Sequence, residues 1–172
     1  MLRSPLVLAI ALLVAGCGAG QSAISRAQTS HEYPSPPAPA QTALDGTPDA
    51  LHAIHDFAST YINWDADTVS AQMRYLAARS VGQARAAMQL AAGQTAQDYE
   101  LRRGGIANSG AVEAIAPLSG HPGEYVVVTR EQTIATNSDA YQGLRPAWHV
   151  ALASVKRLAD GDWAVSRWQP EN

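Results

Sequence analysis

The pair Gly104-Gly105 separates two stretches whose apolar residues repeat with different periods. Ahead of the pair, apolar residues recur every three or four positions; behind it, they alternate. Side chains three or four apart share one face of a helix, and alternate side chains share one face of a strand. A chain with its helical repeats first and its strand repeats last has no alternating strand-helix order to build a parallel sheet. It must lay its helices on one face of an antiparallel sheet.

The helical half opens at Thr47-Pro48-Asp49, which suits an N-cap, a first-turn proline and a first-turn acid. Leu51, Ile54, Phe57, Tyr61 and Ile62 follow at helical spacing as far as Trp64. A second helix is predicted from about Thr68, carrying Val69, Met73 and Leu76. A third starts near Ser80, carries Val81, Ala84, Met88 and Ala91, and runs toward Arg103. Gly93 inside it costs about 1 kcal/mol against alanine and marks a place to break. Arg102-Arg103 suits a helix C-terminus, where positive charge is favourable.

The strand half is predicted at 111–118, 124–134, from Trp148 to Leu158, and at 163–168. In the second of these, Tyr125, Val127 and Thr129 lie on one face and Val126 and Val128 on the other. Ser119-Gly120-His121-Pro122-Gly123 makes the first turn, and Ala159-Asp160-Gly161-Asp162 a tight hairpin connection. The expected class is α+β: N-terminal helices packed on a curved, antiparallel, four-stranded sheet.

The amino terminus carries a different signal. Arg3 supplies positive charge, and an apolar run from Leu6 closes at Gly16. At a rise of 1.5 Å per residue that run spans about 16 Å, roughly half a bilayer core. It suits a signal-peptide hydrophobic region rather than a transmembrane helix. Leu13-Val14-Ala15-Gly16-Cys17 resembles the bacterial lipobox, which implies cleavage before Cys17 and diacylglycerol on its thiol. A plain secretory peptide with an incidental cysteine is the competing reading. Cys17 is the sole cysteine, so no internal disulfide can form, and a thioether leaves no free thiol outside the cell.

Residues 17–46 are rich in Gly, Ser, Gln and Ala, with prolines at 34, 36, 37 and 39. That composition predicts a lipidated, disordered tether. Residues 47–172 then form one domain, long enough for a real core. The net charge of −3 argues against a general nucleic-acid surface. Lys156 is the sole lysine among 12 basic residues, and alanine is abundant, a bias of GC-rich genomes that suggests an actinobacterial source.

Motifs for chemistry are sparse. His52 and His55 share a helix face, as two metal ligands would, but no third ligand is indicated, and two surface histidines explain the pair. Asp65-Ala66-Asp67 has the form of a metal-binding acidic pair, yet an interhelix turn and cap explain it too. No Gly-x-Ser-x-Gly elbow and no phosphate-binding loop occurs. Neither a catalytic set nor a metal or cofactor is expected. Trp64, Trp148, Trp163 and Trp168 suggest a core with two or three of them inside, or a partner-binding patch.

The element order over 47–172 resembles the cystatin-like cone fold of the nuclear transport factor 2 superfamily. That resemblance implies a space between helices and sheet, with Asp56, Tyr61, Tyr99 and His149 as its candidate polar residues. Tyr99-Glu100-Leu101-Arg102-Arg103-Gly104-Gly105-Ile106-Ala107, Pro146-Ala147-Trp148-His149-Val150 and Trp163-Ala164-Val165-Ser166 are similar to lipoproteins of actinobacterial mobile elements. Those in turn resemble the TcpC-like proteins and the scaffold subunit of type IV secretion. The resemblance implies a non-enzymatic module of an envelope assembly such as conjugative transfer, anchored by lipid on the outer face of the cytoplasmic membrane and docked to envelope proteins. The alternative is a small-ligand or enzymatic pocket. A scaffold should have a filled interior and a broad apolar outer face; a pocket should hold a cavity of a few hundred cubic ångströms with one ionisable group of shifted pKa.

Overall fold

The computed structural model describes Ala43 and residues 45–171 apart from Ser138. The chain divides into two units, Met1–Ala38 and Pro39–Asn172, and the described residues all belong to the second. The signal region, Cys17 and the tether as far as residue 42 lie outside the described residues.

Helix α1 (Ala50–Ile62) is capped by Asp49, whose carboxylate accepts the His52 N–H at 2.8 Å. The cap is Asp49 rather than Thr47. Thr47 pairs with Trp163 instead, donating its N–H to the Trp163 carbonyl at 3.1 Å and accepting the Trp163 N–H at 2.7 Å. Packing extends further back still, since Ala43 is buried with Val81 and Ala164. Asp65 precedes helix α2 (Val69–Arg79) and accepts the N–H groups of Asp67 and Thr68 and the Thr68 hydroxyl, at 3.0, 2.8 and 2.9 Å. The Thr68 hydrogen bonds, side chain first and then backbone, hold this carboxyl below its ordinary pKa. The acidic pair is thus a turn and helix start.

The long third helix is two helices, α3 (Gly82–Gln97) and α4 (Tyr99–Gly104). The break falls at Asp98, not at Gly93. Asp98 donates its N–H back to the Thr95 carbonyl at 3.3 Å and accepts the Leu101 N–H at 3.0 Å, so one residue closes one helix and opens the next. Arg102 and Arg103 occupy the last turn of α4, and Gly105 ends it in the left-handed conformation at φ 57°.

Five strands follow the order β1 (Trp64–Asp65), β2 (Ile106–Pro117), β3 (Glu124–Ala135), β4 (Ala147–Arg157) and β5 (Trp163–Glu171), each antiparallel to its neighbours. The sequence predicts four strands. The fifth is the two-residue β1, paired as Trp64 with Asn108 and Asp65 with Ala107, and too short to carry a period. Bulges at Glu113 in β2, between Val112 and Ala114, and at Ser166 in β5, opposite Ser154 and Val155, bend those strands, which curls the sheet around the helices. Its inner face presents Val127, Ala151, Ala153, Val165 and Trp168 to Ile54, Phe57, Met73, Leu76 and Met88.

Each sheet edge is covered in part by local chemistry. Beside β1, the Asn63 side chain imitates one more strand residue: it donates to the Gly110 carbonyl at 3.2 Å and accepts the Gly110 N–H at 3.0 Å. At the other edge Thr47 pairs with Trp163, and Val81 donates its N–H to the Val165 carbonyl at 3.0 Å. Unpaired edges invite strand addition, and these devices shorten the stretch of each edge that is open to it.

Two Gly→Ala substitutions should move stability in opposite directions. A Cβ at Gly110 would meet the Arg130 carbonyl oxygen at 2.5 Å, a backbone atom with no room to yield. Gly110→Ala should destabilise by about 1–3 kcal/mol. A Cβ at Gly93 meets nothing within 4 Å, so Gly93→Ala should stabilise by about 0.5–1 kcal/mol. Urea unfolding of both variants measures the pair, and equal signs would contradict this packing.

Candidate functional site

The register of β2, β3 and β4 assembles an apolar field on the outer face of the sheet. Ala116, Val126 and Leu152 form one row across the strands, and Ala114, Val128 and Val150 the next. Ala111, Arg130 and Trp148 form a third row at one end. Trp148 is 63% exposed and Val150 40% exposed. The Arg130 guanidinium lies over the Trp148 ring, 6.0 Å from its centroid. Leu144, also exposed, is held beside this end by a hydrogen bond from the Gln132 side chain to its carbonyl at 3.3 Å. The four tryptophans divide accordingly: Trp168 is in the core, Trp64 and Trp163 are half-buried, and Trp148 stands in solvent.

The inner face is filled by aromatic rings. Phe57, Tyr61 and Trp168 pack with centroids 5.2 to 6.4 Å apart. Beside them is a polar cluster that sequence reasoning missed. Glu131 accepts the Thr129 hydroxyl at 2.6 Å and the Asn108 amide at 2.8 Å. The same Asn108 amide reaches the Ile62 carbonyl at 2.7 Å, and Thr133 donates to the Asn108 side-chain oxygen at 2.9 Å. A signal for it did exist. Inward positions of β3 change from Tyr125 and Val127 to Thr129, Glu131 and Thr133, so polar residues take over a face that began apolar.

Tyr61 sits against this cluster. Burial pushes its phenol above the ordinary pKa of 10.0, the nearby Glu131 carboxylate adds to the rise, and the Trp168 indole N–H offsets part of it. That N–H is buried and closes no hydrogen bond of good geometry, so it acts on Tyr61 through proximity.

The residues expected around a pocket occupy different settings. Asp56 is exposed on α1 between His52 and His55, at 3.5 and 3.7 Å. Tyr61 is in the core, and Tyr99 is exposed on α4. His149 is exposed on β4, opposite the buried Thr129 and thus on the inner side of the strand. A cavity of about 70 Å³, partly open to solvent, lies between α1, α2 and β5 and takes in Asp56 alone of the four. Ligand pockets commonly run to about 300–1,000 Å³. Larger grooves of about 380 Å³ beside His52 and His55, and of about 310 Å³ beside Arg130, are open to solvent. No group of three metal-ligating side chains occurs among the described residues.

No protein-family model matches the chain, and no curated protein matches it in sequence. Among solved structures it is similar to the VirB8 protein of Agrobacterium tumefaciens, with a TM-score of 0.51 and 14% identity. The match covers 70% of this chain and 88% of that one. At this identity the likeness is one of fold: helices laid on a curled antiparallel sheet.

The raised Tyr61 pKa has a stability signature. The unfolded phenol ionises near pH 10.0 and the folded one above it, so Tyr61 contributes fully below pH 10.0 and loses that contribution as pH climbs toward the folded pKa. In urea unfolding, the difference between parent and Tyr61→Phe should be flat up to that pH and turn against the parent beyond it. A difference that stays constant through alkaline pH would show that the phenol is as free to ionise when folded as when unfolded.

Proposed function

We propose that this chain is an exported lipoprotein whose folded part is a non-enzymatic docking module of an envelope assembly, of the kind that serves conjugative transfer. The observation that carries the proposal is the contrast between the two faces of the sheet. The inner face is filled by Phe57, Tyr61 and Trp168, while the outer face presents Trp148, Val150, Val128 and Arg130 to solvent. Tryptophan and arginine are enriched where proteins bind one another, and an exposed apolar field of this kind marks an interaction site. The sequence's resemblance to type IV secretion scaffold domains and the fold likeness to VirB8 support the same reading.

In this reading Cys17 carries the lipid, and the chain from there to about residue 42, short of the buried Ala43, is the stalk that lets the domain reach its partners. No described helix is long and apolar enough to cross a membrane. Two lipid signals or more make attachment durable, since a single acyl chain holds a protein only marginally.

Cys17→Ala should leave an unlipidated precursor that partitions away from membranes; mass spectrometry of the mature parent should find diacylglycerol on Cys17. An unmodified Cys17 thiol in the parent would remove the anchor from the reading. Trp148→Asp tests the outer face. An exposed position should change stability by no more than about 0.5 kcal/mol, while transfer of the host element should fall at least about tenfold, or about 1.4 kcal/mol of lost docking. Normal transfer by a folded Trp148→Asp protein would exclude this face as the docking surface.

A further inference from the structure

We propose that the outer face of the sheet packs against the same face of a second copy of this chain, related by a twofold axis lying across the strands. This rests on the reading of that face as a docking surface and adds the identity of its partner.

The argument begins with the order of side chains along β3. From Glu124 to Arg130 the outward positions are Glu124, Val126, Val128 and Arg130: acid, apolar, apolar, base. A twofold axis across the strands, midway between Val126 and Val128, reverses this order in the partner copy. Val126 then faces the partner's Val128, and Glu124 faces the partner's Arg130. The axis repeats each contact, so two ion pairs flank one apolar centre. Isologous interfaces require this kind of self-complementarity.

Neighbouring strands satisfy the same operation. On β4, Leu152 meets the partner's Val150, apolar against apolar, and Trp148 lies over the partner's Ser154, which leaves room for an indole. On β2, Ala114 meets the partner's Ala116, and two small residues allow the sheets to approach. On β5, Gln169 opposes the partner's Glu171. Nowhere in these rows does a charge face its like.

Both charged groups are available. Glu124 and Arg130 make no ion pair among the described residues, where the four pairs present involve Asp56 with His52 and His55, Arg79 with Asp45, and Arg103 with Glu100. Glu124 and Arg130 stand about 20 Å apart along β3 at about 3.4 Å per residue, hence about 10 Å to either side of the axis. Packed sheets lie about 10 Å apart and cross at about 30°. That crossing displaces each pair by about 5 Å, within the reach of an arginine and a glutamate.

Size sets the strength. Four strands at about 4.8 Å and a length of about 20 Å give a field on the order of 400 Å². A stable interface covers about 800 Å² per partner. The pair should therefore be weak in dilute solution and favoured where copies are concentrated, as on a membrane surface.

Sedimentation equilibrium of the full mature protein in detergent, with far-UV circular dichroism to confirm folding, tests the arrangement through charge reversal. The parent should self-associate in the micromolar range. Arg130→Glu and Glu124→Arg should each weaken association at least about tenfold, about 1.4 kcal/mol, because like charges then face across the axis. The double variant, with the charges exchanged, should recover to within about threefold of the parent. Association that ignores the single reversals, or a double variant no better than either single one, overturns this packing. A parent that stays monomeric up to about 1 mM, where binding would be worth about 4 kcal/mol, overturns the second copy as partner. In that last case a transfer defect in Trp148→Asp leaves the docking surface standing, and the absence of one removes the docking surface too.

Discussion

Two asparagines tie the end of α1 to β2, and the use of both sheet faces depends on that join. Asn108, almost fully buried, donates to the Ile62 carbonyl, one of the last in α1 and without a partner inside the helix. Asn63, the next residue, takes both backbone groups of Gly110. A helix packed only by apolar contact can slide along a sheet; one joined by directional bonds cannot. With α1 fixed in this register, its apolar stripe of Ile54, Phe57 and Ala58 falls on the inner face and leaves the outer face without a helix.

The same join explains why the inside is polar at one end. Asn108 must be buried to reach Ile62, and a buried amide left partly unpaired costs about 1–3 kcal/mol. Glu131 and Thr133 complete its bonding, and Thr129 in turn satisfies Glu131. A carboxylate held in this way resembles a catalytic group in isolation. Here its partners are structural, and the nearby Tyr61 is pushed further toward its neutral form by it. Polar residues inside the domain thus serve the architecture, whereas the exposed Trp148 and Arg130 lie on a surface with no comparable internal use.

The sequence made the two-layer class legible because it depends on period, and period survives without any knowledge of contacts. The change at Gly104-Gly105 located the boundary, and Gly105 does end a helix there. Features resting on one or two residues were not legible. Strand β1 is defined by what Trp64 and Asp65 pair with, and nothing in a dipeptide announces its distant partners Asn108 and Ala107. The break at Asp98 was missed because an aspartate inside a helical pattern looks like a surface residue until its carboxylate is seen to cap the following turn. The outer face was half legible: alternation placed Val126 and Val128 opposite Val127, but alternation alone does not say which face the helices choose.

That choice also limits how the module can associate. Edge addition is the easy route for an antiparallel sheet, since the unpaired backbone recognises almost any strand. In this domain Asn63 and β1 occupy part of one edge, Thr47 and Val81 part of the other, and Pro117 and Pro170 contribute no N–H groups near the strand ends. Under the docking role proposed above, association would thereby be directed from backbone, which has little specificity, to side chains on a face, which have much. A face also fixes the direction of approach: a partner on the outer side meets Trp148 and Arg130 without disturbing α1 or the aromatic core beneath Trp168. Such a surface can be altered one side chain at a time while the fold stays intact, the property an assembly module needs if its partners are to change.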